Sequence, residues 1–351
     1  LNSISTGAYT FVSAAASGRW NVDKADQERL LRLLLIARFL GGCGAGLRQM
    51  LVRTAVSRLS PSAGRPAQSA RLLFAIMLGM GLGPLVACGA KVIDPCEGGA
   101  QPRFEVVGLT GFFLSISQLG AALRFRSLAT AEDLAGAEEK AAEGHLLPAE
   151  EKTRRRQLIL CCLAFSASRG LCSSGVEAGT ALLLETQYGF SHQVIGLVIG
   201  VSFLMCIPMR AIYLVYKDRI STVAWIQGLM VVSIVGSALL FEYPDWAYPT
   251  PGHMVLKTAK AIIMLIGDAF LFPSYFMSDS LTQGLMTQYP LPRNDLLSLD
   301  NVNTLNSLFL DGVSRSIGPP LARLHVFMHG QNGYSLQQLA LALLGYLIAI
   351  G

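Results

Sequence analysis

The sequence predicts an all-α polytopic membrane protein. Three observations predict it. Of 351 residues, 52% are hydrophobic and only 15% are charged, against about 25% charged in an ordinary soluble domain. Mean hydropathy is +0.46. The apolar residues also fall in blocks roughly twenty long, the length that crosses a hydrocarbon core of about 30 Å. A membrane β-barrel would need short alternating segments instead, and the sequence has none. The net charge of +5 is scattered over connecting segments, a pattern that orients membrane helices rather than one that binds nucleic acid.

In chain order the apolar blocks are 1–17, 32–52, 70–91, 105–124, 157–184, 193–214, 220–241, 257–278, 301–323 and 335–351, about ten in all. The first, beginning at Leu1, lacks the basic start and cleavage site of a signal peptide. It reads as the end of a helix whose beginning is missing, so the chain is expected to be a fragment. Residues 126–156 stand apart, with seven acidic and six basic residues and few large apolar ones. Their Ala/Glu composition favours a solvated helix. They divide the chain into a first bundle, 1–125, a charged linker, 126–156, and a second bundle, 157–351.

Arg53, Arg58, Arg65 and Arg71 follow the second block, and Arg124, Arg126, Lys140, Lys152 and Arg154 to Arg156 lie in and beside the linker. Two spans separate these basic stretches, so both lie on one side, the cytosolic one. By the same count YKDRIS (216–221) is cytosolic, and LETQYGFSHQ (184–193) faces away.

The breakers inside the apolar blocks follow a pattern. ARFLGGCGAG gives Arg38 followed by Gly42, Gly44 and Gly46. Gly42 and Gly46 form a G-xxx-G pair, which lets a second helix approach closely. An arginine at the centre of a bilayer costs about 2.5–3.5 kcal/mol on insertion scales, so Arg38 faces a cavity or partner, or else snorkels to the interface. GMGLGP (79–84) repeats the device: Gly79 and Gly83 thin one face and Pro84 removes a backbone donor. No strand precedes it and no Lys-Ser/Thr follows, which excludes a phosphate loop. A weaker copy, SRSIGPP, places Gly318 and Pro319 near the other end. The seven cysteines lie mostly in apolar runs as packing residues; Cys88 and Cys96 are spaced to close a short loop in an oxidising compartment. His325 and His329 have an i, i+4 spacing but no third ligand, so they read as a loop pair and no metal is expected.

Arg38 with its glycines, a basic loop, and then G-xxx-G-P resembles the fourth and fifth helices of the major facilitator superfamily, the stretches known there as motifs B and C. The resemblance implies a two-bundle fold of pseudo-symmetric six-helix halves. This chain would supply helices three to twelve and lack the first two, together with the loop that carries the family's motif A. Asp218-Arg219, in YKDRIS, sits where a decayed second copy of that motif belongs. Gly318-Pro319 occupies the counterpart of the fifth helix. Related halves of this kind hold substrate near the midplane between them. At subgroup level the fourth helix and its loop are most similar to lysosomal, ceroid-lipofuscinosis-type members, which favours an endomembrane location.

Charges within the blocks supply the candidate site. Arg169 and Glu177 are two turns apart in the seventh family helix and are expected to share a face. Glu177 lies between Gly175 and Gly179 and is expected to face the packed interior, where a carboxylate can carry a proton. Asp268 is mid-span and reads as either a proton carrier or a structural hydrogen bond before Pro273. Arg315 suits an anionic substrate or a pair with Asp311. Glu185 and Arg210 read as interfacial.

These residues imply secondary transport of a small solute by alternating access, coupled to protons. Arg38 with Glu177 or Asp268 forms the coupling machinery, Gly79 to Pro84 and Gly318-Pro319 act as pivots, and Asp218-Arg219 latches the cytosolic gate. The expected partners are a small molecule or ion, H+ and the bilayer, with the chain a monomer and no cofactor. An anion channel built on Arg38, Arg169 and Arg315, and a non-transporting receptor, are the alternative classes. No enzymatic constellation is present in the sequence.

Overall fold

The computed structural model describes residues 24–93, 116–117, 148–244, 253–292 and 295–350. The expected spans 1–17 and, save residues 116–117, 105–124 lie outside these residues, as do the linker up to residue 147 and Cys96, the expected partner of Cys88. The described elements are helical: α1 (Lys24–Leu59), α2 (Arg65–Ile93), α3 (Ala149–Thr186), α4 (His192–Leu204), α5 (Cys206–Tyr216), α6 (Thr222–Leu239), α7 (His253–Gln288), α8 (Leu299–Ser307), a π-turn (Leu308–Ser314) and α9 (Arg315–Ile350). Among the described residues, six helical runs are long and apolar enough to cross a membrane. α1 covers the expected span 32–52 as one longer helix.

Three boundaries differ from expectation, each for a local reason. The last residues of the charged linker, from Ala149, are the first turns of α3, where Glu151 and Arg155 pair at i, i+4 and 2.8 Å. The span 193–214 is two helices broken at Met205. Pro208 has no N–H to give to Leu204, so the ladder is interrupted there. Residues 301–323 and 335–351 form one helical run closed by a corner rather than a loop. Gly330 (φ 64°, ψ −156°) makes that corner, a conformation glycine reaches without a Cβ penalty. His325 and His329 consequently lie on the last helical turns before the corner, not in a loop, with ring centroids 6.3 Å apart.

The chain forms two units by its contacts: residues 1–52 with 85–139, and residues 53–84 with 140–351. In the second, α3 packs along α9 and α7, α7 along α6, and α9 along α6. Small residues set how closely these helices cross. A Cβ on Gly267 would stand 2.8 Å from the Gly236 carbonyl oxygen, and one on Gly236 would stand 3.0 Å from that of Gly267, so α6 and α7 meet backbone to backbone. The core is continuous from Met77 through Cys172, Val176, Phe272 and Tyr275 to Tyr334. The opposite surface carries large exposed apolar side chains such as Phe327, Leu336 and Leu347, as a lipid-facing helix requires.

Candidate functional site

Asp268 lies on α7 and is fully buried, and neither carboxylate oxygen has a hydrogen-bond partner among the described residues. Thr180 of α3 stands beside it, and Thr180 Oγ1 is 3.4 Å from the Tyr334 hydroxyl of α9. Three helices thus converge on one carboxyl group. Pro273 does not end α7, which runs on to Gln288.

Arg169 and Glu177 do not share a face. Eight residues of helix advance about 12 Å and turn about 80° beyond two full turns, and the two side chains diverge accordingly. Arg169, only 1% exposed, donates from Nη2 to the Leu341 carbonyl at 2.6 Å. Its guanidinium lies 5.2 Å from the Phe165 ring and 4.9 Å from that of Tyr275, with Gly345 against it. It is a packed element of the core.

Glu177 is not on the surface packed by Gly175 and Gly179. Those two glycines give way to Gln338 and Tyr334 of α9. Glu177 is two positions from each, about 200° round the helix. It is partly exposed, and its Oε1 is 3.8 Å from Arg315 Nη2. Arg315 Nε is in turn 3.7 Å from Asp311 Oδ1, and Asp311 Oδ2 is 3.8 Å from Arg53 Nη1. Arg53 and Asp279, both buried, were not singled out from the sequence. A signal existed for Asp279: it follows Asp268 by three helical turns and so lies on the same face of α7.

The pivot residues separate into two groups. A Cβ on Gly318 would strike Ser174 and stand 3.0 Å from the Leu171 carbonyl oxygen, so α9 crosses α3 tightly just before Pro319. Ser174 Oγ and Ser314 Oγ donate across this crossing, to Ser314 O at 3.3 Å and Ala167 O at 2.8 Å. Gly79, Gly83 and Gly46, by contrast, have nothing among the described residues within 4 Å of where a Cβ would stand. The close contact of α2 is made by Gly81, against Leu204 and the Gly200 carbonyl, and the helix continues through Pro84 to Ile93. Arg38 and Gly42 lie in α1, but their surroundings fall outside the described residues, and Gly44 is only partly buried.

Asp218 and Arg219 lie on the exposed turn after α5. The ion pair of Asp218 is with its neighbour Lys217, at 3.8 Å. Among the described residues they do not reach another helix. Two pairs that do lie elsewhere, at residues of the basic stretches. Arg58 holds Asp300 through Nε at 3.0 Å and Nη2 at 2.6 Å. Lys152 Nζ is 3.1 Å from Asp295 Oδ2. The Leu297 amide donates to Asp295 at 3.1 Å and holds that carboxyl below the usual carboxylate range, with Lys152 adding to the effect. Arg65 donates to the Thr287 carbonyl, and Gly284 lets Pro66 approach.

The sequence model of the Major Facilitator Superfamily matches residues 3–290. Among solved structures, the chain is similar to the major facilitator proton:xylose symporter XylE bound to 6-bromo-6-deoxy-D-glucose. The TM-score is 0.60 at 15% identity, over 99% of this chain and 78% of that one. A partially occluded, inward-open form of the xylose transporter XylE from E. coli gives 0.59 at 16% identity, with the same coverage. At these identities the likeness is one of fold. No curated protein matches the sequence.

Proposed function

The chain belongs to the major facilitator superfamily of multi-pass membrane transporters, and from that premise we propose that it moves a small solute by alternating access, coupled to protons. The observation that carries the coupling is Asp268. A fully buried carboxyl group with two unpartnered oxygens is costly when charged and is stable once a proton binds. Thr180 and Tyr334 beside it are hydroxyls that can pass or share that proton. Glu177 with Arg315, and Arg38 in the first bundle, complete the proposed machinery. Gly318-Pro319 and Gly79 to Pro84 are the proposed pivots, and Asp218-Arg219 the proposed gate turn. The proton coupling named for XylE supports this reading, and on the resemblance of the fourth family helix to lysosomal-type members we further propose an endomembrane location. We further take the protein to act as a monomer.

The test is uptake by purified protein in liposomes carrying a pH gradient, with a panel of pentoses, hexoses and small organic ions as solutes. Wild-type protein accumulates one of these with the gradient. Asp268→Asn abolishes accumulation but retains solute exchange at equal pH. Accumulation by the variant would overturn the assignment of Asp268.

A further inference from the structure

The charges around the π-turn do not balance. Arg53, Glu177, Asp279, Asp311 and Arg315 come from α1, α3, α7, the π-turn and the start of α9. Three contacts of 3.7–3.8 Å chain Arg53 to Asp311, Asp311 to Arg315 and Arg315 to Glu177. Asp279 stands beside Ser166 of α3 and within the field of Arg53, Asp311 and Arg315. Among the described residues, two guanidinium groups therefore stand with three carboxylates. All three contacts exceed a direct charge-assisted hydrogen bond of about 2.7–2.9 Å. A net negative charge held between transmembrane helices is strongly disfavoured unless something bound there supplies the missing positive charge.

The unpartnered buried atoms point to where that charge sits. Asp279 is 3% exposed and its Oδ1 has no hydrogen bond; Asn306 is 0% exposed and both ends of its amide are unpartnered. Register brings them to the same level of neighbouring helices. α7 and α8 are consecutive helices joined by a short connection, and Gln283 Nε2 donates to Asn303 Oδ1 at 3.5 Å between them. One turn back from Gln283 is Asp279, and one turn on from Asn303 is Asn306. The π-turn that follows, Leu308–Ser314, widens the helix at Asp311. Such i→i+5 insertions occur frequently at functional sites.

We propose that this cluster is a binding site for one small monovalent cation, a proton or Na+, seated between Asp279 and Asn306 at the π-turn. Its charge completes the network, and the carboxylate and amide oxygens are the hard donors such an ion takes. The site is separate from Asp268. It rests on the transport reading only for the consequence that the ion is coupled to solute movement; ion binding stands without it.

The experiment is a thermal-unfolding titration of the purified full chain in lipid nanodiscs. One arm varies Na+ against choline at constant ionic strength and neutral pH. The other varies pH in choline alone. Wild-type protein is stabilised saturably in one arm, and that arm names the ion. Asp279→Asn balances the network at two charges of each sign, so its response in that arm is lost. Should this variant not fold, Asn306→Leu keeps every charge and weakens half-saturation on the order of tenfold, as loss of a supporting group does at ion sites. A wild-type protein indifferent in both arms overturns the proposal, and so does a variant that responds as the wild type does. Absent solute uptake beside intact ion binding would count against the transport reading alone.

Discussion

Arg58 and Asp300, 242 residues apart in sequence, are joined by two parallel hydrogen bonds of 3.0 and 2.6 Å. The pair ties the end of α1 to the start of α8. It is fork-to-fork, the geometry in which arginine is most specific. Both side chains are 44% exposed, so the pair contributes at most about 1 kcal/mol and is screened by salt. That is still roughly a fivefold bias on any equilibrium in which the two ends part. Asp300→Asn is expected to raise thiol labelling of cysteines introduced beside Arg58, with a smaller effect at high salt. Exchange of the charges, Arg58→Asp with Asp300→Arg, is expected to restore protection. Unchanged labelling in the single variant would remove the latch.

Lys152 and Asp295 form a second tie on the same side, and its pH dependence has a definite sign. The Asp295 carboxyl is held below its ordinary value of 3.8, first by the Leu297 amide and then by Lys152. A depressed carboxyl stabilises the folded form above the unfolded value and loses that contribution as pH falls through the folded one. The connection between α7 and α8 is therefore expected to stay protected at neutral pH and to loosen only below about pH 4. Hydrogen exchange at Leu297 and Ser298 would follow this. In Asp295→Ala the protection is already weakened at neutral pH.

Glycine substitutions separate packing from motion. A methyl on Gly267 has the Gly236 carbonyl oxygen at 2.8 Å, and backbone cannot yield as a flexible side chain would. Gly267→Ala is expected to cost about 1–3 kcal/mol as overpacking. Gly79→Ala meets nothing within 4 Å among the described residues and should leave the melting temperature unchanged or slightly raised, since alanine favours helix by about 1 kcal/mol. If Gly79 is a pivot, the same variant slows uptake without destabilising the protein. Normal uptake at normal stability would end the pivot assignment there.

The architecture was legible because a membrane helix declares itself by length and composition alone. The divisions within it were less so. Pro208 broke a run that hydropathy averages over, since its effect is on one backbone bond, and Gly330 turned a helix by one φ angle where hydropathy showed only a gap between two blocks. Charge was harder still. Arg169 and Glu177 looked by spacing as if they shared a face, but an offset of about 80° is enough to send one to Leu341 and the other to Arg315. Arg53 acquires significance only from partners that are distant in sequence, and Asp279 only from such partners and from its register with Asp268. Nothing local to SYFMSDSLT distinguishes a buried aspartate from one at an interface.

Arg38 carries a prediction that depends on the first bundle. It lies within α1, in a stretch where polar side chains need a cavity or a partner. Arg38→Ala is expected to abolish gradient-driven uptake while expression and membrane insertion remain intact. Full activity in that variant would remove Arg38 from the coupling machinery.

Arg169 distinguishes structural from conducting roles. Its guanidinium fills the space between Phe165, Tyr275 and Gly345, and its hydrogen-bond partners are a carbonyl and the hydroxyl of Ser168. Nε and Nη1 are buried without partners. Arg169→Ala removes a large packed side chain and leaves a cavity, at an expected cost of about 3 kcal/mol or more. Arg169→Met keeps most of the volume and deletes a charge that has no carboxylate against it among the described residues. Replacing a buried charge by an apolar side chain of similar size is often close to neutral. The methionine variant should therefore melt nearer to wild type than the alanine variant, and it should still transport. An anion-conducting role demands the opposite, because a pore that needs the charge fails equally with either substitution. Melting curves and uptake rates of the two variants, measured side by side, decide between a packed arginine and a conducting one.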